Sequence, residues 1–141
     1  MISNTVICKS ETANEYPQVL TVRAHTMRSD VSVSQGGTDD APGPHDYFDA
    51  ALASCKTLTA IWYAKKYHMP LERVEAVIER DDSEERKGRY TLTVRLTLHG
   101  PLTDEQRSKI YNAVVACPIH KLMTTTEVTI LTAPLLPAPT A

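Results

Sequence analysis

From Pro44 to Pro70 the chain runs without a glycine or a further proline, and this stretch constrains the fold more than any other. Pro44 suits a first helical position, because the N–H it lacks would have no partner there. Asp46 and Asp49 lie near the positive end of the predicted helix, Lys65 and Lys66 near the negative end. Phe48, Ala51, Leu52, Cys55, Leu58 and Trp62 follow helical spacing and predict one buried stripe. Met69-Pro70 ends the run. At roughly 1.5 Å per residue, about 23 helical residues span about 33 Å, enough to cross a whole domain. Such a helix needs apolar cover on most sides, and one small sheet cannot supply it. A dimer in which two such helices cover each other would.

The flanking segments predict antiparallel strands. "NTVICKS" and "PQVLTVRAHTM" cluster β-branched and apolar residues, with Leu20, Val22 and Ala24 on one face and strand character continuing from His25 towards Val33. "QGGTDDAPGP" breaks the sheet and delivers the chain into the helix. "LERVEAVIER" and "RYTLTVRLTLHG" alternate around the charged turn "DDSEERKG", which reads as a hairpin with one wet face. Val74, Ala76 and Ile78 share one side of its first strand. Thr103 with Gln106 forms a capping box opening a second helix, on which Ile110, Val114 and Cys117 share a face before Pro118 stops or redirects the chain. "TTTEVTILT" reads as a last strand, and "APLLPAPTA" as a proline-rich tail. The order strands, long helix, hairpin, helix, strand predicts an α+β domain over residues 1–132, with residues 133–141 as its tail.

A chain of 141 residues suits one such domain. Its 15 basic residues are scattered among 17 acidic ones, for a formal charge of −2, so no nucleic-acid partner is expected. No run of about 18 apolar residues predicts a membrane span, and the N-terminus lacks the pattern of a signal peptide. A cytoplasmic protein is expected. Its three cysteines, Cys8, Cys55 and Cys117, are too few and too odd for a disulfide scaffold.

Cys55 lies at mid-helix between the small residues Ala53 and Thr57. Burial statistics favour packing for such a thiol. A reactive thiolate there would need an external cation, for which Arg23 and Arg28 are the candidates. Cys117 fits a core cysteine or a thiol that swings toward Cys55, and Cys8 fits a strand residue. Cys117 and His120 have ligand-like spacing, with His25, His45 and Cys55 as further candidates, but structural zinc normally brings two close pairs. No phosphate-binding glycine motif and no GxSxG elbow is present.

Taken together, "GGTDDAPGPHDYFDAALASCKTLTAIWYAKK", the hairpin and "GPLTDEQRSKIYNAVVACPIHKLM" resemble the OsmC/Ohr family of thiol peroxidases, over about residues 18 to 132. The resemblance implies an intertwined homodimer, with antiparallel sheets wrapped around long central helices. It makes Cys55 the match for the peroxidatic cysteine and Cys117 for the resolving one. It implies reduction of alkyl or fatty-acid hydroperoxides, with Phe48, Leu52 and Trp62 as the apolar surroundings of the substrate. It implies no metal or flavin, and an external dithiol reductant such as a lipoyl or thioredoxin-like protein. Two positions depart from the pattern. The family glutamate ten residues before the reactive cysteine is His45 here, leaving Asp46 as the candidate for its role. The family arginine has no aligned counterpart, and Arg28 is preferred over Arg23 as nearer the loop. These departures point to an OsmC-like branch, with a non-enzymatic dimeric protein that binds apolar ligands or senses oxidants as the alternative.

Overall fold

The computed structural model describes residues 4–139, so the first three residues of the expected domain and the last two of the expected tail lie outside the described residues. Strands β1 (Val6–Ser10), β2 (Gln18–Val22) and β3 (His25–Ser29) form an antiparallel meander. The loop that follows leads into α1 (Pro44–Lys66). Next come the hairpin β4 (Arg73–Asp81) and β5 (Thr91–His99), then α2 (Asp104–Val115) and α3 (Pro118–Thr124). The class is α+β with antiparallel sheets, as the element order predicts.

Local signals place the boundaries well. Thr103 Oγ1 accepts from the Gln106 amide at 3.1 Å while the Gln106 side chain accepts from the Thr103 amide at 3.0 Å, so the capping box is complete. The hairpin pairs Val74 with Leu98, Ala76 with Leu96 and Ile78 with Val94. These apolar pairs face inward, and the alternate positions face out. The core is where α1, α2 and this hairpin meet: Ala60, Ala64, Leu98, Ile110 and Val114 are buried together, with Tyr63, Leu71 and Leu102 around them. Gly100 (φ 135°) makes the close approach that brings α2 back, since a Cβ there would lie 2.3 Å from the Pro70 carbonyl oxygen.

Three expectations change. The β2 face stops at Val22, because Arg23 turns the chain at φ 54° and Ala24 lies in the turn. Strand structure likewise ends at Ser29, and Val33–Gln35 forms a short 3-10 turn. The expected strand from 124 to 132 is not formed: α3 takes Thr124, and residues 127–139 have no regular structure. β-branched residues favour a strand only where a neighbouring strand takes their N–H and C=O groups, and this segment joins neither sheet.

A further change, in α1, matters most for the site. The helix buries Leu52, Lys56, Ala60 and Ala64, an i, i+4 face turned to the protomer's own core. Of the stripe expected to be buried, Phe48, Leu58 and Trp62 are exposed, Leu58 by 61% and Trp62 by 57%. α1 has two largely apolar faces, and the inner one carries Ala60 and Ala64 where α2 and the hairpin pack against it.

Asp30 organises the loop before α1. Its buried carboxylate accepts from the Thr38 hydroxyl at 2.7 Å and from the amides of Val31, Thr38 and Asp40 at 2.7, 3.2 and 3.1 Å. The Thr38 hydroxyl first, then these amides, hold its pKa at about 2 against the opposing effect of desolvation. The folded value is depressed, so its contribution is present above the ordinary 3.8 and is lost as pH falls through about 2. Asp30→Asn should therefore lower the melting temperature at neutral pH and flatten its decline between about pH 4 and 2. Thermal melts of both proteins across that window check this, and an unchanged acid slope would contradict it.

Candidate active site around two cysteines

Pro118 occupies the first position of α3 and carries no N–H. The next two amides belong to Ile119 and His120, and each meets a sulfur. The His120 N–H donates to Cys117 Sγ at 3.4 Å, making Cys117 the N-cap of its own helix. The Ile119 N–H donates to Cys55 Sγ at 3.5 Å, although Cys55 lies 64 residues earlier on α1. Two consecutive amides thus take up the two thiols where an ordinary cap would supply one oxygen. Cys55 also makes a long contact of 4.0 Å with Thr59 Oγ1.

The two thiols differ in access. Cys117 is fully buried, while Cys55 is half-buried and opens on a groove of about 700 Å³. The groove walls include Leu58, Trp62, Ala113, Ala116, Pro118 and Ile119, with no charged side chain among its lining residues. Cys8 is apart on β1, exposed, its Sγ donating to Gln18 Oε1 at 3.2 Å. All three cysteines are free.

The other expected site residues, Trp62 apart, lie elsewhere in the chain. Arg28 forks onto Glu11 through bonds of 2.7 and 3.1 Å, and Arg23 sits in the β2–β3 turn. Asp46 lies in the first turn of α1, nine residues before Cys55, or about 13 Å along the helix axis. Its carboxylate accepts from the Gly43 amide at 2.9 Å and from Arg80 at 2.8 Å, and these two contacts, the amide first, lower its pKa. His45 meets Glu85 at 2.9 Å. Phe48 packs edge-on against Tyr90 at 5.7 Å and lines a separate depression with His45 and Glu85. Leu52 is buried on the core-facing side of α1. Trp62 is a wall of the Cys55 groove, with the Lys66 ammonium 5.1 Å from its ring centroid.

Sequence reasoning passed over several participants. Arg80 on β4 is the arginine that Asp46 holds; it also bonds Asp49 at 2.6 Å, to which the Tyr90 hydroxyl donates at 2.7 Å. Desolvation first, then that bond to Asp49, pushes the Tyr90 pKa up to about 12. Lys56 was legible only as the one charged residue in phase with Leu52, Ala60 and Ala64. His120, considered as a metal ligand, takes the Lys56 ammonium on Nδ1 at 3.0 Å. Among the described residues no three His, Cys, Asp or Glu side chains gather as a metal site. Among them, too, no helix is long and apolar enough to cross a membrane.

Residues 37–132 match the family of OsmC-like proteins. The chain belongs to that family. No curated protein sequence matches it. Among solved structures, the fold is similar to that of an OsmC-like protein from Mycoplasma pneumoniae, with a TM-score of 0.70 at 14% identity, covering 87% of this chain and 88% of the other. It is also similar to the organic hydroperoxide resistance protein OsmC of Legionella pneumophila, with a TM-score of 0.58 at 19% identity over 86% and 90% of the two chains. The organic hydroperoxide resistance protein OhrB of Bacillus subtilis gives 0.56 at 17% identity over 86% and 91%. At these identities the likeness is one of fold. The OsmC-like domain here brings a thiol of α1 and the N-cap thiol of α3 to consecutive amides of one helical turn.

Proposed function

We propose that this OsmC-like protein reduces organic hydroperoxides with Cys55 as the attacking thiol and Cys117 as the resolving one. The observation that carries the reading is the pair of consecutive amides, Ile119 and His120, that hold the two sulfurs at one turn. A thiolate accepts such an N–H more strongly than a thiol does. Cys55 is the sulfur a substrate can reach, and Cys117 is shielded from solvent until α3 shifts.

The Cys55 thiolate attacks one peroxide oxygen; the S–O bond forms, the O–O bond breaks, and the alkoxide leaves to take a proton. Cys55 is now a sulfenic acid. The Cys117 sulfur attacks it, the S–S bond forms and the hydroxyl leaves as water. An external dithiol, of the lipoyl or thioredoxin-like kind, restores both thiols by exchange and carries away the two electrons as its own disulfide. The apolar groove, with Trp62 and Leu58 on its wall, favours an organic peroxide over hydrogen peroxide. The organic hydroperoxide resistance proteins among the similar structures support the substrate class. A cytoplasmic setting, which keeps free thiols reduced, suits the cycle.

The exposed face of α1 completes the reading. Phe48, Leu58, Ile61 and Trp62 are exposed on one helix, and Val128, Ile130 and Leu131 after α3 are exposed as well. Exposed apolar side chains in this number mark an interface, and a second copy of the chain is the partner that supplies two such helices to cover each other.

The test is intact mass and non-reducing peptide mapping after one equivalent of cumene hydroperoxide, with hydrogen peroxide alongside. A rapid loss of two hydrogens and a Cys55–Cys117 cross-linked peptide, formed faster with the organic peroxide, is expected. Thiols unchanged after long exposure would overturn it, and the apolar-ligand-binding or redox-sensing alternative would take its place.

A further inference from the structure

Beside the reactive thiol stands a lysine that the cycle above does not use. Lys56 is only 3% exposed, although lysine is among the residues least often buried without a partner. Its Nζ donates to the Val114 carbonyl at 2.9 Å, the Val115 carbonyl at 3.1 Å and His120 Nδ1 at 3.0 Å. An ammonium group has three N–H donors, and here each has an acceptor. Val114 and Val115 end α2, where carbonyls lack full helical partners (Val114 accepts only from the Ala116 and Cys117 amides of the turn) and a cation is favoured. His120 is the residue whose amide holds Cys117, and its neighbour Ile119 holds Cys55. One side chain from α1 therefore grips both ends of the turn Ala116–Cys117–Pro118.

The geometry points to Lys56 as a positioning residue for the thiol pair. It fixes the end of α2 against the start of α3, so that the Ile119 and His120 amides stay aimed at Cys55 and Cys117. Lys56 makes no hydrogen bond to either sulfur and acts through the turn. Without it, the Val115 carbonyl and the imidazole nitrogen lose this donor, the Val114 carbonyl keeps only the turn's own N–H groups, and the turn drifts to recover water. The part played in turnover rests on the peroxidase reading; the hold of the two amides on the two sulfurs does not.

The experiment compares wild type, Lys56→Met, Lys56→Arg and His120→Ala, each well below its melting temperature so that global stability does not enter. Diamide, an oxidant that takes one hydrogen from each of two thiols, drives disulfide formation, and mapping follows the Cys55–Cys117 peptide. Cumene hydroperoxide with dimedone, which traps sulfenic acid, is run in parallel. Lys56→Met should cross-link at least about ten-fold more slowly than wild type, since small misplacements of reacting groups carry costs of that order. With peroxide it should accumulate the dimedone adduct on Cys55 in place of the disulfide. Lys56→Arg, which restores donors, should recover part of the rate. Should Lys56→Met fail to fold, His120→Ala cuts only the α3 arm and gives the same readout. A folded Lys56→Met that cross-links at the wild-type rate overturns the proposal, as does a wild type that diamide cannot cross-link. A wild type that cross-links with diamide but ignores hydroperoxide overturns the peroxidase reading and leaves the clamp standing.

Discussion

Cys55→Ser should lose turnover of cumene hydroperoxide by at least about a thousand-fold, because a serine hydroxyl at its ordinary pKa is a far weaker nucleophile than a thiolate. Cys117→Ser should differ in kind. Its Cys55 still attacks the peroxide, so a burst of one equivalent per chain is expected, followed by a stall at the sulfenic acid. Cys8→Ser should turn over like wild type, since Cys8 bonds Gln18 on the outer meander, apart from the two thiols at α3. Peroxide consumption under a dihydrolipoyl reductant measures all three. Equal activity in the three variants would refute the assignment of both thiols.

The wild-type protein should run in light scattering at twice the 15.6 kDa of its chain, and Leu58→Glu should run as the single chain. Leu58 is 61% exposed, so in an isolated protomer a carboxylate there would stay in water at little cost. Between two packed α1 helices the same carboxylate would be buried without a partner, at a cost of several kcal/mol. About 4 kcal/mol raises a dissociation constant roughly a thousand-fold, enough to separate a dimer at micromolar concentration. A wild type of single-chain mass, or a Leu58→Glu protein that still dimerises, would contradict the interface.

The hairpin and both main helices could be read before the fold was known because their signals act over short distances. Pro44 and the absence of later breakers set α1, the Thr103–Gln106 box set the start of α2, and strict alternation set β4 and β5. The segment from 124 to 132 misled for the complementary reason. Its β-branched residues describe what a strand would like, whereas a strand exists only where a neighbour receives its hydrogen bonds. The reading of α1 as carrying one buried stripe failed on symmetry: the helix has apolar residues on two sides, and spacing alone does not say which side meets its own core.

The site divides along the same line. That the family is OsmC-like could be read from motif residues held in sequence order, and the same motifs singled out Cys55 and Cys117, whose sulfurs meet consecutive amides in the structure. The arginine partner of Asp46 could not, since Arg80 comes from a strand 34 residues away. Nor could Lys56, whose three acceptors lie 58 to 64 residues beyond it. By itself the sequence determined the two main helices, the hairpin, their order and the chemistry available, because backbone preference, capping and periodicity are settled among neighbours. Only the tertiary structure decided which face of α1 is inside and which amides meet the sulfurs. Those depend on where α2 ends and α3 begins against a helix some sixty residues upstream, a packing outcome that no local pattern encodes.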